Sequence, residues 1–246
     1  MELEPTRRSA FYALAPGGWR DWWTVLHLPY TAWHLSYVAV GAALAPDLDG
    51  GRLLATLLAF FCAVGIGAHA LDELHGRPLG TTIPGPVLVT VGVAGVAAAA
   101  ALGVLGLWWV GLVLAPFVMV GVIVVFAYNL ELWSGRLHND VVFAGAWGAF
   151  PLLTSYVAQD GRLSVAALLG AAAAYGISAA QRSLSTPTRL IRRRATAVRG
   201  SMALDDGSER PLDRTVLLTP LERALRAMSW AMVALAAAMV TARLAQ

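Results

Sequence analysis

The segment His69-Ala70-Leu71-Asp72-Glu73-Leu74-His75-Gly76-Arg77-Pro78-Leu79 closes a long apolar run and carries two histidines, two carboxylates and an arginine. On a helix His69, Asp72 and Glu73 stand at i, i+3 and i+4, so they share one face. Ionisable groups at the end of a membrane helix are costly to keep there and mark a functional site. Two chemistries suit these residue types. Carboxylates with arginines nearby hold Mg²⁺ against a diphosphate, because that hard cation prefers oxygen ligands. Histidine mixed with carboxylate, as in His69-x-x-Asp72-Glu73-x-His75, suits Zn or Fe instead. The helical His/carboxylate spacing follows the logic of metal sites in helix bundles, and it is not the H-E-x-x-H pattern of zinc proteases.

Three further polar clusters border apolar runs. His27 and His34 are seven apart, on roughly one helix face. Asn129, Glu131, Arg136, His138, Asn139 and Asp140 follow one another after an apolar stretch. Gln181, Arg182, Ser183 and Ser185 to Arg189 close another.

The elements that must position these groups are membrane helices. Of the 246 residues 58% are hydrophobic and only 13% charged, with a mean hydropathy of +0.63, against about 25% charged in soluble domains. Seven apolar segments, near 23–46, 52–72, 85–104, 107–130, 140–158, 163–182 and 221–243, are long enough for a bilayer, which needs about 20 residues each. The fold class expected is all-α, a polytopic membrane bundle of about seven transmembrane helices. The first segment follows a polar stretch, has Trp22 and Trp23 at its mouth and lacks a cleavage site, so it reads as a span with an interfacial belt rather than a signal peptide. The small residues of 85–104 allow close helix packing.

All 18 basic residues are arginines, which excludes lysine Schiff-base chemistry and leaves forked donors for phosphate and carboxylate. With the N-terminus inside, fifteen arginines fall on inner segments, while Arg52, Arg162 and Arg243 fall outside. That positive-inside bias predicts a multi-pass protein of the cell membrane with a cytoplasmic N-terminus, and it explains the pI near 9.4 without nucleic acid. The single cysteine, Cys62, excludes an internal disulfide and reads as packing. The organisation expected is a cytoplasmic segment 1–22, a bundle 23–182, a basic loop 183–218 and a last helix 219–246, opened by the capping box Thr219-Pro220-Leu221-Glu222.

The order of these features resembles the UbiA superfamily of intramembrane prenyltransferases. The carriers are the opening helix L-H-L-P-Y-T-A-W-H-L-S-Y-V-A-V-G-A-A-L, the acidic helix end followed by G-R-P-L at 76–79, and Y-N-L-E-L-W-S-G-R-L-H-N-D at 128–140 with F-A-G-A-W-G-A-F-P at 143–151. The resemblance covers roughly residues 20–195. It implies a helical, cytoplasm-facing enzyme that binds an isoprenyl diphosphate through Mg²⁺ and transfers or cyclises the prenyl group. The first Asp-rich motif is here His69-Ala70-Leu71-Asp72-Glu73, and the place of the second reads Q-R-S-L-S-T-P-T-R-L.

On this reading Asp72 and Glu73 bind the metal, with Asp140 (and Glu131) offering a second carboxylate set. Arg77, Arg136 and Arg182 face the diphosphate, Asn129, Tyr30 and Tyr128 line the substrate, and Trp33, Tyr37 and Trp147 offer ring faces to an allylic cation. An alternative is a His/carboxylate metalloenzyme with His34, His69, Asp72, Glu73, His75 and His138 as ligands to Zn or Fe. A third is a non-catalytic lipid- or quinone-binding membrane protein. The partners expected are an isoprenoid or lipid substrate and the membrane, with no nucleic acid.

Overall fold

The computed structural model describes residues 10–245, and among them the chain is mostly helical. Helices α1 (Trp19–Val25) and α2 (Leu28–Ala43) occupy the first apolar segment. They are broken apart at His27, whose φ of 46° and ψ of 44° are left-handed. Pro29 sits in the first turn of α2, where a missing N–H costs nothing. Helix α3 (Gly50–Leu74) starts where the Asp49 carboxylate accepts from the Arg52 amide at 2.9 Å, and its middle, Phe61–Ala68, is π-helical.

Helix α4 (Gly85–Val110) ends at Gly111, whose φ of 99° lets the chain turn. Helix α5 (Leu112–Asn129) opens with a 3₁₀ turn. Helix α6 (Asp140–Asp160) is capped by Asn139, which accepts from the Val142 amide, and carries a second π-helical stretch at Gly145–Ala149. Helix α7 (Val165–Arg189) is capped by Ser164 and runs on into a π turn, Leu190–Arg194. An antiparallel hairpin, β1 (Ser201–Ala203) with β2 (Glu209–Pro211), precedes α8 (Arg214–Leu244).

Every predicted apolar segment is a helix, but five of the helices, α3, α4, α5, α6 and α8, are long and apolar enough to cross a membrane, rather than seven. Helix α2 has only 16 residues, and α7 passes from an alanine-rich stretch into Gln181, Arg182 and Ser183. Three boundaries also differ. Helix α4 runs on to Val110, so the break before α5 falls at Gly111 rather than at 105–106. Helix α7 continues past Arg182, so 183–194 is helical rather than loop. The last helix begins at Arg214, where Asp213 accepts from the Val216 amide, so the expected cap at Thr219 lies inside the helix. Glu222 is free of capping duty and pairs with Arg192.

Helix α2 packs between α6 and α8, α4 lies along the π-helical part of α3, and α7 lies along that of α6. Small residues set these distances. A Cβ at Gly95 of α4 would stand 2.7 Å from the Cys62 carbonyl oxygen of α3, so a larger residue would force the pair apart. One core group joins Trp33, Tyr37, Leu152 and Met232, and another joins Val64, Leu71, Val96 and Val125. Large apolar side chains such as Trp108, Leu112, Leu169 and Trp230 point outward, as a hydrocarbon surround allows.

The two ends of the bundle differ. At one end Arg52 donates to the carbonyls of Gln159 at 2.8 Å and Trp109 at 3.0 Å, tying α3 to the last turns of α6 and α4. The other end holds a polar cavity.

Candidate functional site

All five histidines of the chain wall one cavity of about 330 Å³. Helix α2 and the residue before it supply His27, Tyr30, His34 and Tyr37, and α3 with its following turn supplies His69, Asp72 and His75. Tyr128, Asn129, Glu131 and His138 come from the end of α5 and the loop after it, and Phe143 and Trp147 from α6. The end of α7 and its π turn add Arg182, Ser185, Arg189, Arg192 and Arg193, while Phe11 and Tyr12 close the space from the N-terminal side.

The imidazoles are held by backbone carbonyls. His34 Nδ1 lies 3.1 Å from the Trp147 oxygen, His69 Nδ1 3.3 Å from the Gly65 oxygen, and His138 Nδ1 3.2 Å from the Tyr128 oxygen. A carbonyl only accepts, so in each neutral ring Nδ1 carries the proton and Nε2 a lone pair. His27 differs: its Nδ1 lies 2.9 Å from the Tyr12 hydroxyl, and its ring stacks on His69. Burial pushes the Tyr12 phenol well above its usual range, with the Tyr30 phenol adding to the rise, so Tyr12 keeps its proton. Three π-helical stretches stand beside this wall, one ending at Ala68 next to His69, one containing Trp147 and one, Leu190–Arg194, containing Arg192 and Arg193; such widened turns recur at functional sites.

The acidic residues divide. Asp72 and Glu131 line the cavity. Glu131 sits between two imidazoles, 3.5 Å from His75 and 3.7 Å from His138. Glu73, one residue past Asp72, is fully buried and turned away from the cavity. It accepts from the amides of Leu79 and Thr81 and from the Thr81 hydroxyl, each at 2.8 Å, and so folds the loop after α3. Asp140 is exposed and accepts from Arg182 Nε at 2.8 Å.

Several expected site residues therefore meet and others do not. His34, His69, Asp72, His75, His138, Tyr30, Tyr128, Asn129 and Arg182 share the cavity. Glu73, Arg77, Arg136 and Asp140 are not part of its wall. Arg77 donates to the Ile83 carbonyl at 2.6 Å and is bound into the loop, while Arg136 is exposed beyond α5. His27 and Arg189, each noted in a polar cluster of the sequence, also belong to the wall, and so do Tyr12, Arg192 and Arg193, which no motif spacing singled out. The arginine run 192–194 was the one sequence signal for the last two.

Among the described residues no group of three or more His, Cys, Asp or Glu side chains gathers to hold a metal ion. The Mg²⁺–diphosphate arrangement implied by the resemblance needs several converging carboxylate oxygens, and the partners of Asp72 are engaged elsewhere: Glu73 with its loop, Asp140 with Arg182, Glu131 with His75 and His138. For Zn or Fe, the Nδ1–carbonyl contacts of His34, His69 and His138 leave each Nε2 free, as in metal-bound imidazoles, but among the described residues these rings and Asp72 do not gather into one ligand set. As placed, the donors do not fit either group.

Arginine supplies the positive charge instead. Arg182 lies over the Phe143 ring at 5.0 Å, held by Asp140. Arg189 donates to the hydroxyls of Ser185 at 3.3 Å and Thr186 at 3.2 Å. Beside the polar cavity runs a second, apolar one of about 120 Å³ among α3, α4, α5 and α6, lined by residues such as Ala59, Val96, Gly103, Val118 and Phe150. Val64 and Trp147 line both spaces, so a polar basin and an apolar groove meet there. No family model matches the chain, and no curated protein or solved structure does either.

Proposed function

We propose that this is a UbiA-like protein of the cell membrane, its N-terminus cytoplasmic, that takes an isoprenoid or lipid with a phosphate-bearing head. The meeting of the two cavities at Val64 and Trp147 carries this reading. A single amphiphile fits such a pair, with its head among Arg182, Arg189, Arg192 and Arg193 and its chain in the apolar groove. Forked guanidinium donors suit phosphate oxygens, and in a water-poor basin they act more strongly than at an open surface. Prenyl transfer or cyclisation is the reaction that the resemblance in helix order suggests. The single carboxylate that α3 places in the basin, Asp72, is the residue of that motif on which such an activity would depend.

The test is binding of farnesyl diphosphate to the purified protein in lipid nanodiscs, with and without EDTA. We expect binding in both conditions, weakened at least about tenfold in Arg189→Gln and competed by a prenyl monophosphate more strongly than by inorganic diphosphate. Absence of binding to either prenyl phosphate would overturn the proposal. Consumption of the ligand that is lost in Asp72→Asn would make the protein an enzyme.

A further inference from the structure

His34 is 5% exposed and sits where the basin and the groove meet: its ring lies 5.5 Å from that of Phe60, a groove residue, and its Nδ1 proton goes to the Trp147 carbonyl. Its Nε2 is buried and has no partner among the described residues. The Tyr128 hydroxyl, on a residue 4% exposed, is buried and unpartnered in the same way. Both residues meet Trp147 on the basin wall, His34 at its backbone carbonyl and Tyr128 at its ring, 4.8 Å away. Native proteins rarely leave buried polar atoms without a partner, and His34 and Tyr128, which share Trp147 as a neighbour, point to something that satisfies both; His27 Nε2, also buried and unpartnered on this wall, lies at the Tyr12–His69 stack instead.

The chemistry of the pair narrows what that is. Nε2 of the neutral His34 ring needs a donor, whereas a phenol proton needs an acceptor. A hydroxyl group is both. An ether or ketone can only accept and leaves Nε2 unsatisfied. We infer that the junction is a subsite for the hydroxyl of a neutral apolar-chain alcohol. Its O–H donates to His34 Nε2, the Tyr128 hydroxyl donates to its oxygen, and its chain lies in the apolar groove. Arg182 stands nearby, over the Phe143 ring that neighbours Tyr128, but an uncharged ligand has no need of it.

The probes are farnesol and farnesyl methyl ether, added to the full chain in nanodiscs, with tryptophan fluorescence as the readout. Wild type binds the alcohol about tenfold more tightly than the ether, the size expected of one buried hydrogen bond. His34→Leu removes that preference, whereas Tyr128→Phe weakens alcohol and ether alike, since an ether oxygen also accepts from the phenol. Because each variant is its own control through the alcohol-to-ether ratio, a general loss of affinity does not mimic the result. Equal binding of alcohol and ether to wild type, or a preference that survives in His34→Leu, overturns the inference. Arg189→Gln keeps the preference while losing affinity for farnesyl diphosphate, so failure of the phosphate site and failure of this subsite read out separately.

Discussion

His27 and His69 lie face to face, ring centroids 4.3 Å apart and 15° from parallel, although one precedes α2 and the other follows the π-helical part of α3. Tyr12 reaches His27 from the N-terminal segment, so three separate parts of the chain are joined at one stack. A double-mutant cycle of His27→Ala and His69→Ala, read by thermal unfolding in detergent, should give a coupling of about 0.5–1.5 kcal/mol, as for other ring pairs. Strict additivity would show that the stack adds nothing beyond the two separate positions.

Adjacent carboxylates should behave oppositely. Glu73→Gln replaces a buried acceptor of three hydrogen bonds with an amide that can accept at only one atom, and should cost about 1–3 kcal/mol of stability. Asp72→Asn should leave the melting temperature nearly unchanged and alter ligand binding. Both quantities are read on the same samples, by unfolding and by titration with farnesyl diphosphate. A reversal of the two phenotypes would place the working carboxylate at Glu73.

Acid sensitivity should trace to Asp21, which lies outside the membrane-crossing helices. Burial pushes its carboxyl up, but the hydroxyl and amide of Thr82, at 2.6 and 2.9 Å, and the Gly17 amide, at 2.9 Å, outweigh that and hold it below the usual range. A folded-state pKa that is depressed gives stability present above the unfolded value, about 3.9, and lost as pH falls through the folded one. Unfolding curves should therefore shift downward below about pH 4. Asp21→Asn should flatten that part of the profile. A variant profile parallel to wild type would assign the acid response to another group.

Asp140 and Arg182 form an ion pair with unequal partners, the carboxylate exposed and the guanidinium largely covered. Asp140→Asn should change stability by less than about 1 kcal/mol, as exposed pairs do, and phosphate affinity by only a few-fold. Arg182→Gln should lower farnesyl diphosphate affinity about tenfold, the effect of losing one charge-assisted bond. Equal effects of the two substitutions would mean that Arg182 needs Asp140 to be placed at all.

Much of this arrangement is legible from residue order. Apolar runs locate the helices, and the clustering of His27, His34, His69, His75 and His138 beside helix ends locates the basin. Glu73 is misread because helical periodicity gives it the face of His69, whereas the amides of Leu79 and Thr81 fold back and take its oxygens. Hydrogen bonds from a loop to a helix leave no periodic trace. The cap at Thr219 fails for a related reason: Asp213 offers an earlier one, and Arg192 claims Glu222. Tyr12 is invisible to spacing because it belongs to an irregular segment brought in by tertiary contact with His27 and Tyr30.

The widened turns in α3 give the chain a length code as well as a composition. An α-helix advances about 100° per residue, and a π-helical stretch accommodates a residue that an ordinary helix would not. Removing one residue from Phe61–Ala68 as that stretch relaxed to α geometry would therefore keep His69 and Asp72 near their present phase. The α-helical turns before it have no such slack: removing one residue from Gly50–Phe60 would swing His69 and Asp72 together by about 100° relative to the start of the helix. A lineage could silence this site by a single in-frame codon loss there that touches none of its polar side chains.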